Sequence, residues 1–144
     1  MSLNFIHGYY LDTHIQPHSK DILELHNNVF PDHAYTSMEQ CNGKFKNPYW
    51  LLVLWGTRLI GICAIGIEGE SKGYVYNVAV TKFQRRRNLA SCLNYNIRKI
   101  FPGYKLTGHV KNDNFPAIMA FGKLGGVPQE KEERPGYTTY HAEF

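Results

Sequence analysis

Apolar positions along the chain fall into short blocks broken by Gly, Pro and polar clusters, and the spacing within the blocks switches between strand and helix periods. Asn4 to Leu11 reads as a first strand. Ser19 is placed to cap a helix that carries Ile22, Leu25 and Val29 at i, i+3 and i+7 and is ended by Pro31. Thr36 to Asn42 reads as a second short helix, and Gly43 to Pro48 as a loop. Tyr49 to Trp55 and Leu59 to Ile67 are apolar runs around Gly56-Thr57-Arg58, which predicts a hairpin. Glu68 to Gly73 turns again into a strand over Tyr74 to Val80.

A basic loop, Thr81 to Asn88, follows this strand. A helix then runs from Leu89 to Phe101, with Leu89, Leu93, Ile97, Ile100 and Phe101 on one stripe. Pro102-Gly103 stops it, and Tyr104 to Val110 is a further strand. A helix from about Pro116 to Leu124 has proline in its first turn and Gly125-Gly126 after its end. Val127 to Gln129 and Tyr137 to Phe144 pair around the polar loop Glu130 to Gly136. The resulting order, β-α-α-β-β-β-α-β-α-β-β, is mixed α/β.

With 144 residues, no internal repeat and no linker, residues 1–144 are expected to form a single domain. A chain of this length buries roughly two-thirds of its extended surface, enough for a core without staples. Hydrophobic content of 43% against 19% charged residues excludes disorder as the main state. The longest nearly apolar run, Ile60 to Ile67, is too short to span a bilayer, so no membrane association is expected. The N-terminal residues show no basic region followed by an apolar stretch, and Cys41, Cys63 and Cys92 are odd in number and widely spaced. Free thiols in a reducing, cytoplasmic setting are the expectation. His14 and His18 have metal-like spacing but no further ligands, so no metal site is expected.

The formal charge of +4 has a definite location. Lys82, Arg85, Arg86 and Arg87 are four of the sixteen basic residues, and without them the chain balances at twelve against twelve. A strand enters this basic loop and a helix leaves it at once. Helix N-termini carry unpaired N–H groups and partial positive charge, so a loop wrapped around one is suited to a pyrophosphate. An arginine can fork onto phosphate oxygens, and Asn88 suits a cap or a left-handed backbone position. Two other readings stay open: a solvated basic turn, and a nucleic-acid patch using Lys82, Phe83 and the arginines. The absence of a second basic stripe weighs against the nucleic-acid patch.

The segment Val78-Ala-Val80, followed by Arg85-x-x-Asn88-x-Ala90, resembles the acetyl-CoA-binding motif of the GNAT superfamily of N-acetyltransferases, Gln/Arg-x-x-Gly-x-Gly/Ala. Asn88 stands where that family usually has glycine. Further on, Asn114-x-x-Ala117-x-x-x-Phe121-x-Lys123-x-Gly125 resembles the family's Asn-x-x-Ala-x-x-x-Tyr-x-Lys-x-Gly segment. The resemblance implies a mixed, mostly antiparallel sheet of about seven strands with a splayed parallel pair, flanked by about four helices. It also implies acetyl-CoA as co-substrate, no metal, and transfer of acetyl to a primary amine by direct attack, with the chain as a monomer or homodimer. By position, backbone groups of Val78 and Val80 would pair with the pantetheine arm, and the Val78 N–H would face the developing oxyanion. Arg85, with the amides of Arg86, Arg87, Asn88, Leu89 and Ala90, would bind the pyrophosphate, with Asn114 and Phe121 also on the cofactor side.

The acid–base residues depart from the family most. Its frequent tyrosine acid falls on Phe121, which has no hydroxyl, and its glutamate bases fall on Tyr74 and Tyr76. Strand alternation puts those two tyrosines on one face, where either could order water or donate to a thiolate. Each could equally be a packed aromatic with its hydroxyl satisfied. His109 could relay a proton or be a satisfied core histidine. Glu68 and Glu70 are turn residues near the expected acceptor side. Asp32, Glu39 and the net-acidic tip Glu130 to Arg134 favour a cationic acceptor on charge. A modified domain that binds acyl-CoA or a protein partner without turnover is the alternative function.

Overall fold

The computed structural model describes residues 3–81, 89–129 and 135–143. Seven strands form one sheet in the order β1-β2-β3-β4-β5-β7-β6. They are β1 (Leu3–Tyr9), β2 (Tyr49–Trp55), β3 (Arg58–Gly69), β4 (Lys72–Val80), β5 (Lys105–Lys111), β6 (Val127–Pro128) and β7 (Tyr137–Glu143). Four helices accompany them: α1 (Ser19–Val29), α2 (Met38–Asn42), α3 (Leu89–Ile100) and α4 (Phe115–Lys123). Every strand pair is antiparallel except β4 and β5. The mixed α/β class and the element order expected from the sequence are those observed.

The sheet is covered on both faces, which explains why β2 is apolar throughout instead of alternating. Leu51 and Val53 point into one core with Ile60, Ile65, Val75, Leu93, Ile97 and Phe121, beneath α3 and α4. Trp50, Leu52 and Leu54 point into the other with Ile15, Ile22, Leu25, Met38 and Ile62, beneath α1 and α2. Phe121, 1% exposed, packs so tightly on β5 that a Cβ at Gly108 would lie 2.5 Å from its ring.

Several local expectations change. β1 ends at Tyr9, where Asp12 turns the chain by accepting the Tyr9 N–H at 2.8 Å, so Tyr10 and Leu11 lie outside the strand. Ser19 is the first residue of α1 and not its cap: a short 3-10 turn, Gln16–His18, leads into the helix, and the Ser19 hydroxyl donates back to the Gln16 carbonyl. α2 starts at Met38, capped by Ser37, whose hydroxyl oxygen accepts the Gln40 N–H. The β3–β4 hairpin is tighter than the six-residue turn expected. Glu68 and Gly69 still belong to β3, and Gly69 pairs with Lys72 across Glu70-Ser71.

Candidate functional site

The parallel ladder between β4 and β5 stops early. Lys72 pairs with Lys105, Gly73 with Leu106 and Tyr74 with Thr107, and no pairing continues beyond, although β4 runs on to Val80 and β5 to Lys111. Beyond Tyr74 the two strands therefore diverge.

A second irregularity lies at the same place. Along β3 and β4, Ala64 faces Tyr76 and Ile62 faces Ala79, so β4 holds one residue more than its partner between those pairs. This is a β-bulge, and Asn77 sits in it at φ +52°. The extra residue resets the alternation. Tyr76 faces the α1/α2 side, yet Val78 and Val80 join Val75 in the α3/α4 core while Ala79 returns to the other face. Without the bulge, Val78 and Val80 would lie on the tyrosine face.

The bulge is tied to α2. Asn77 Nδ2 donates to the Cys41 carbonyl at 2.6 Å, and the Tyr76 hydroxyl donates to the Asn42 carbonyl at 2.7 Å. Tyr35 donates its hydroxyl to Asn77 Oδ1 at 3.4 Å. Asn27 holds the loop before α2 by a pair of bonds to the Tyr35 backbone, 2.8 and 2.9 Å. The last residues of α2 and the residues flanking Val78 are thus one unit.

A cleft of about 510 Å³ opens where the strands part. From β4 it is lined by Tyr74, Tyr76, Asn77 and Val78, and from β5 by His109 and Lys111. Its opposite wall comes from α1 and the loop after it, chiefly His26, His33 and Tyr35. A size of this order is typical for a small-molecule site. His26 is 3% exposed between the rings of Phe30 and Tyr35, 5.3 and 4.4 Å away, and burial lowers its pKa from the ordinary imidazole value. Burial also raises the Tyr76 phenol, with Cys41 and Tyr35 adding to the effect. Both buried cysteines, Cys41 and Cys63, are pushed up to about 12, so neither supplies a thiolate nucleophile at neutral pH.

Tyr74, Tyr76 and Val78 therefore meet at one cleft, and Asn114 reaches its rim as the residue before α4, with Oδ1 accepting the Ala117 N–H at 3.4 Å. Val80 continues the strand into the core, and Leu89 begins α3, 2% exposed. Arg85, Arg86, Arg87 and Asn88 lie outside the described residues, as do the side chain of Ala90 and the tip Glu130 to Arg134. Phe121 lies in the core against Tyr140, their ring centroids 5.7 Å apart.

His109 is not a core histidine. It is exposed on the cleft wall, with Nδ1 2.7 Å from Thr139 Oγ1 and its ring 5.6 Å from Tyr74. Neither acidic wall residue faces the cleft: Asp32 lines a smaller neighbouring cavity and Glu39 is exposed on α2. Sequence reasoning missed His26, His33, Tyr35 and Asn77 as site residues. The signal for His26 was its place beside Ile22 and Leu25 on the apolar stripe of α1. For Asn77 it was the run Val78-Ala79-Val80, too apolar for a half-covered strand in phase with Tyr74 and Tyr76.

A seven-stranded sheet with one parallel pair that splays beside a bulge, and a cleft at the split, is the frame on which this site is built. The sequence profile of the acetyltransferase (GNAT) family matches residues 15–125, and the chain belongs to that family. It is an acyltransferase whose family takes acyl groups from acyl-CoA. No curated protein matches it by sequence. Among solved structures, the fold is similar to an acyl-CoA N-acyltransferase from Pseudomonas aeruginosa (13% identity, TM-score 0.67, covering 98% of this chain and 99% of the other). It is also similar to a GNAT-family acetyltransferase from Staphylococcus aureus Mu50 (9% identity, TM-score 0.70, 99% of each chain). A Bacillus subtilis acetyltransferase in complex with CoA aligns at 11% identity and TM-score 0.66, over 99% of each chain. Among the described residues no helix is long and apolar enough to cross a membrane.

Proposed function

We propose that this chain is an acetyl-CoA-dependent N-acetyltransferase that moves acetyl to a primary amine by direct attack, without a covalent enzyme intermediate. The supporting observation is the coincidence of the β4–β5 split with the Asn77 bulge and a cleft that ends at Val78. Split strands leave backbone groups of β4 unmatched by β5, which is what an extended amide-bearing arm needs as a partner. Acetyl-CoA supplies the activated acyl group and a thiolate leaving group.

The residues then take these roles. Backbone groups of Val78 and Val80 pair with the pantetheine arm, and the Val78 N–H donates to the thioester carbonyl oxygen as charge builds there. The amides of residues 86 to 90, with Arg85, Arg86 and Arg87, hold the pyrophosphate. Asn114 meets the arm from the β5 side, and Phe121 backs that side from the core. Imidazole is the side chain best suited to proton transfer near neutral pH, so His109 takes the proton that the amine loses. Tyr74 orders the water through which it does so. Tyr76, its hydroxyl held by Asn42, keeps α2 against the cleft, and for it to protonate the thiolate that bond would have to open.

Burial of Phe121, where the family has a tyrosine acid, favours a second reading in which the domain binds acyl-CoA without turnover. Calorimetry with acetyl-CoA and CoA, followed by thiol release across an amine panel, separates them. Micromolar binding that is lost in the double variant Arg85→Ala, Arg87→Ala, together with thiol release matched by a 42 Da gain on the amine (the acetyl group), supports the enzyme. CoA binding with no release for any amine supports the binder. Binding to short DNA with steep salt dependence and no heat with CoA contradicts both.

A further inference from the structure

The cleft continues into an aromatic tray. Phe45, in the loop after α2, lies flat on β3: a Cβ at Gly66 would fall 2.2 Å from its ring, so only glycine at that position leaves room for it. Gly66 is the register partner of Tyr74, and Ala64 that of Tyr76. Phe45 is therefore seated beside both tyrosines, 6.3 and 5.6 Å from their ring centroids, with planes tilted by 24° and 29°. Tyr74 and Tyr76 are themselves 5.8 Å apart at 25°, and His109 follows Tyr74 at 5.6 Å. Four rings thus run across β3, β4 and β5 and border a recess of about 360 Å³ next to the 510 Å³ cleft.

A lysine stands over this tray. Lys44 Nζ stands 5.2 Å from the centre of Phe45 and 5.5 Å from that of Tyr74. Among the described residues no Asp or Glu lines either the cleft or the recess. Glu68 is engaged by Lys44 at 3.7 Å, and Asp113 by Lys111 at 3.7 Å. Lys44 and Lys111 stand on the walls with their carboxylate partners, Glu68 and Asp113, already engaged, so the further ammonium groups of a polyamine or aminosugar find no free carboxylate among the described lining residues. A monoamine with a flat aromatic body meets ring faces instead, and stacking geometry of this kind favours it.

We propose that the acceptor is an arylalkyl monoamine, whose ring lies on the Phe45–Tyr74–Tyr76 tray while its single amine points to the split between β4 and β5. Phe45 is the specificity-determining residue. The proposal rests on the N-acetyltransferase reading in taking the ligand as an acceptor, so it is tested by binding, which needs no turnover.

Calorimetry on the protein alone and saturated with CoA compares 2-phenylethylamine, n-propylamine, spermidine and a lysine-containing peptide. Expected is binding of 2-phenylethylamine at least tenfold tighter than any of the other three. In Phe45→Leu, and separately in Tyr74→Leu, the ratio between 2-phenylethylamine and n-propylamine should fall to below about threefold, with a cooperative melt as the check on folding. Tighter binding of spermidine or the peptide overturns the proposal, as do equal affinities for the two monoamines. A ratio unchanged in both variants also overturns it. Failure of thiol release with acetyl-CoA would count against the transfer reaction and leave this comparison standing.

Discussion

Replacing Asn77 probes the joint between the bulge and α2. Asn77 holds φ +52°, a left-handed conformation that a residue with a Cβ adopts at a cost of roughly 1–2 kcal/mol and that asparagine tolerates better than alanine. Its Nδ2 also satisfies the Cys41 carbonyl at 2.6 Å, and its Oδ1 receives the Tyr35 hydroxyl. Leaving a half-buried acceptor unpaired costs about 1–3 kcal/mol. Asn77→Ala loses both contributions, so it should destabilise the protein by roughly 2–4 kcal/mol, or on the order of 6–12 °C in Tm for a chain of this size. Asn77→Gly removes the bonds but not the backbone freedom, so it should be more stable than the alanine variant by about 1 kcal/mol. Asn77→Asp keeps the tolerance for positive φ but sets a carboxylate oxygen against the Cys41 carbonyl, and should rank with alanine. Thermal unfolding of the three variants gives the order, and kcat against KM for acetyl-CoA shows whether the bulge positions the Val78 amide. A fall in kcat in all three, with KM changed less, is expected. A glycine variant no more stable than alanine would refute the backbone argument, and kcat unchanged in all three would refute the positioning role.

Tyr76→Phe removes the bond to the Asn42 carbonyl and should cost about 1–2 kcal/mol in unfolding while lowering kcat less than threefold; a hundredfold loss would make Tyr76 the acid. Because burial raises the Tyr76 pKa, the unfolded state ionises first as pH climbs past about 10. The associated stability is complete below that pH and lost above it, and Tyr76→Phe should flatten the decline of Tm at alkaline pH. His26 behaves in the opposite sense. Its pKa is lowered, chiefly by burial, so the unfolded state binds the proton more readily and stability falls as pH drops below about 6.5. Melting temperatures between pH 7 and 5 should fall less in His26→Leu than in the parent; equal slopes would remove His26 as the cause.

Much of this architecture is legible in the residues because local signals and long-range packing agree. The hairpin around Gly56, the stripe of α3 and the Gly125-Gly126 stop each carry their own chemistry, and β2, apolar on both faces, announces a sheet covered on both sides. The split itself was implied by a resemblance and not by any period, since splaying of β4 from β5 is a property of two strands distant in sequence. The bulge left a trace in the Val78-Ala79-Val80 run, but Asn77 reads as an ordinary polar strand position until its partner, the Cys41 carbonyl, is known. Backbone acceptors have no sequence signature. Ser19 failed as a cap for a related reason: a 3-10 turn through Pro17 supplies the preceding geometry, so the hydroxyl bonds backwards. His109 sits beside the split, where the wall that would have buried it is missing, and an exposed histidine replaced the core residue that strand position suggests.

Acyl transfer by this chain requires the gap between β4 and β5 to take the pantetheine arm of CoA and Val78 to present its N–H to the thioester. A crystal structure with CoA bound tests it most directly. Expected in it are the arm threaded beyond Tyr74 between the two strands, backbone bonds from Val78 and Val80 to its amides, and the diphosphate against the amides of residues 86 to 90. CoA bound elsewhere on the surface, or strands closed onto each other beyond the Tyr74–Thr107 pair, would contradict it.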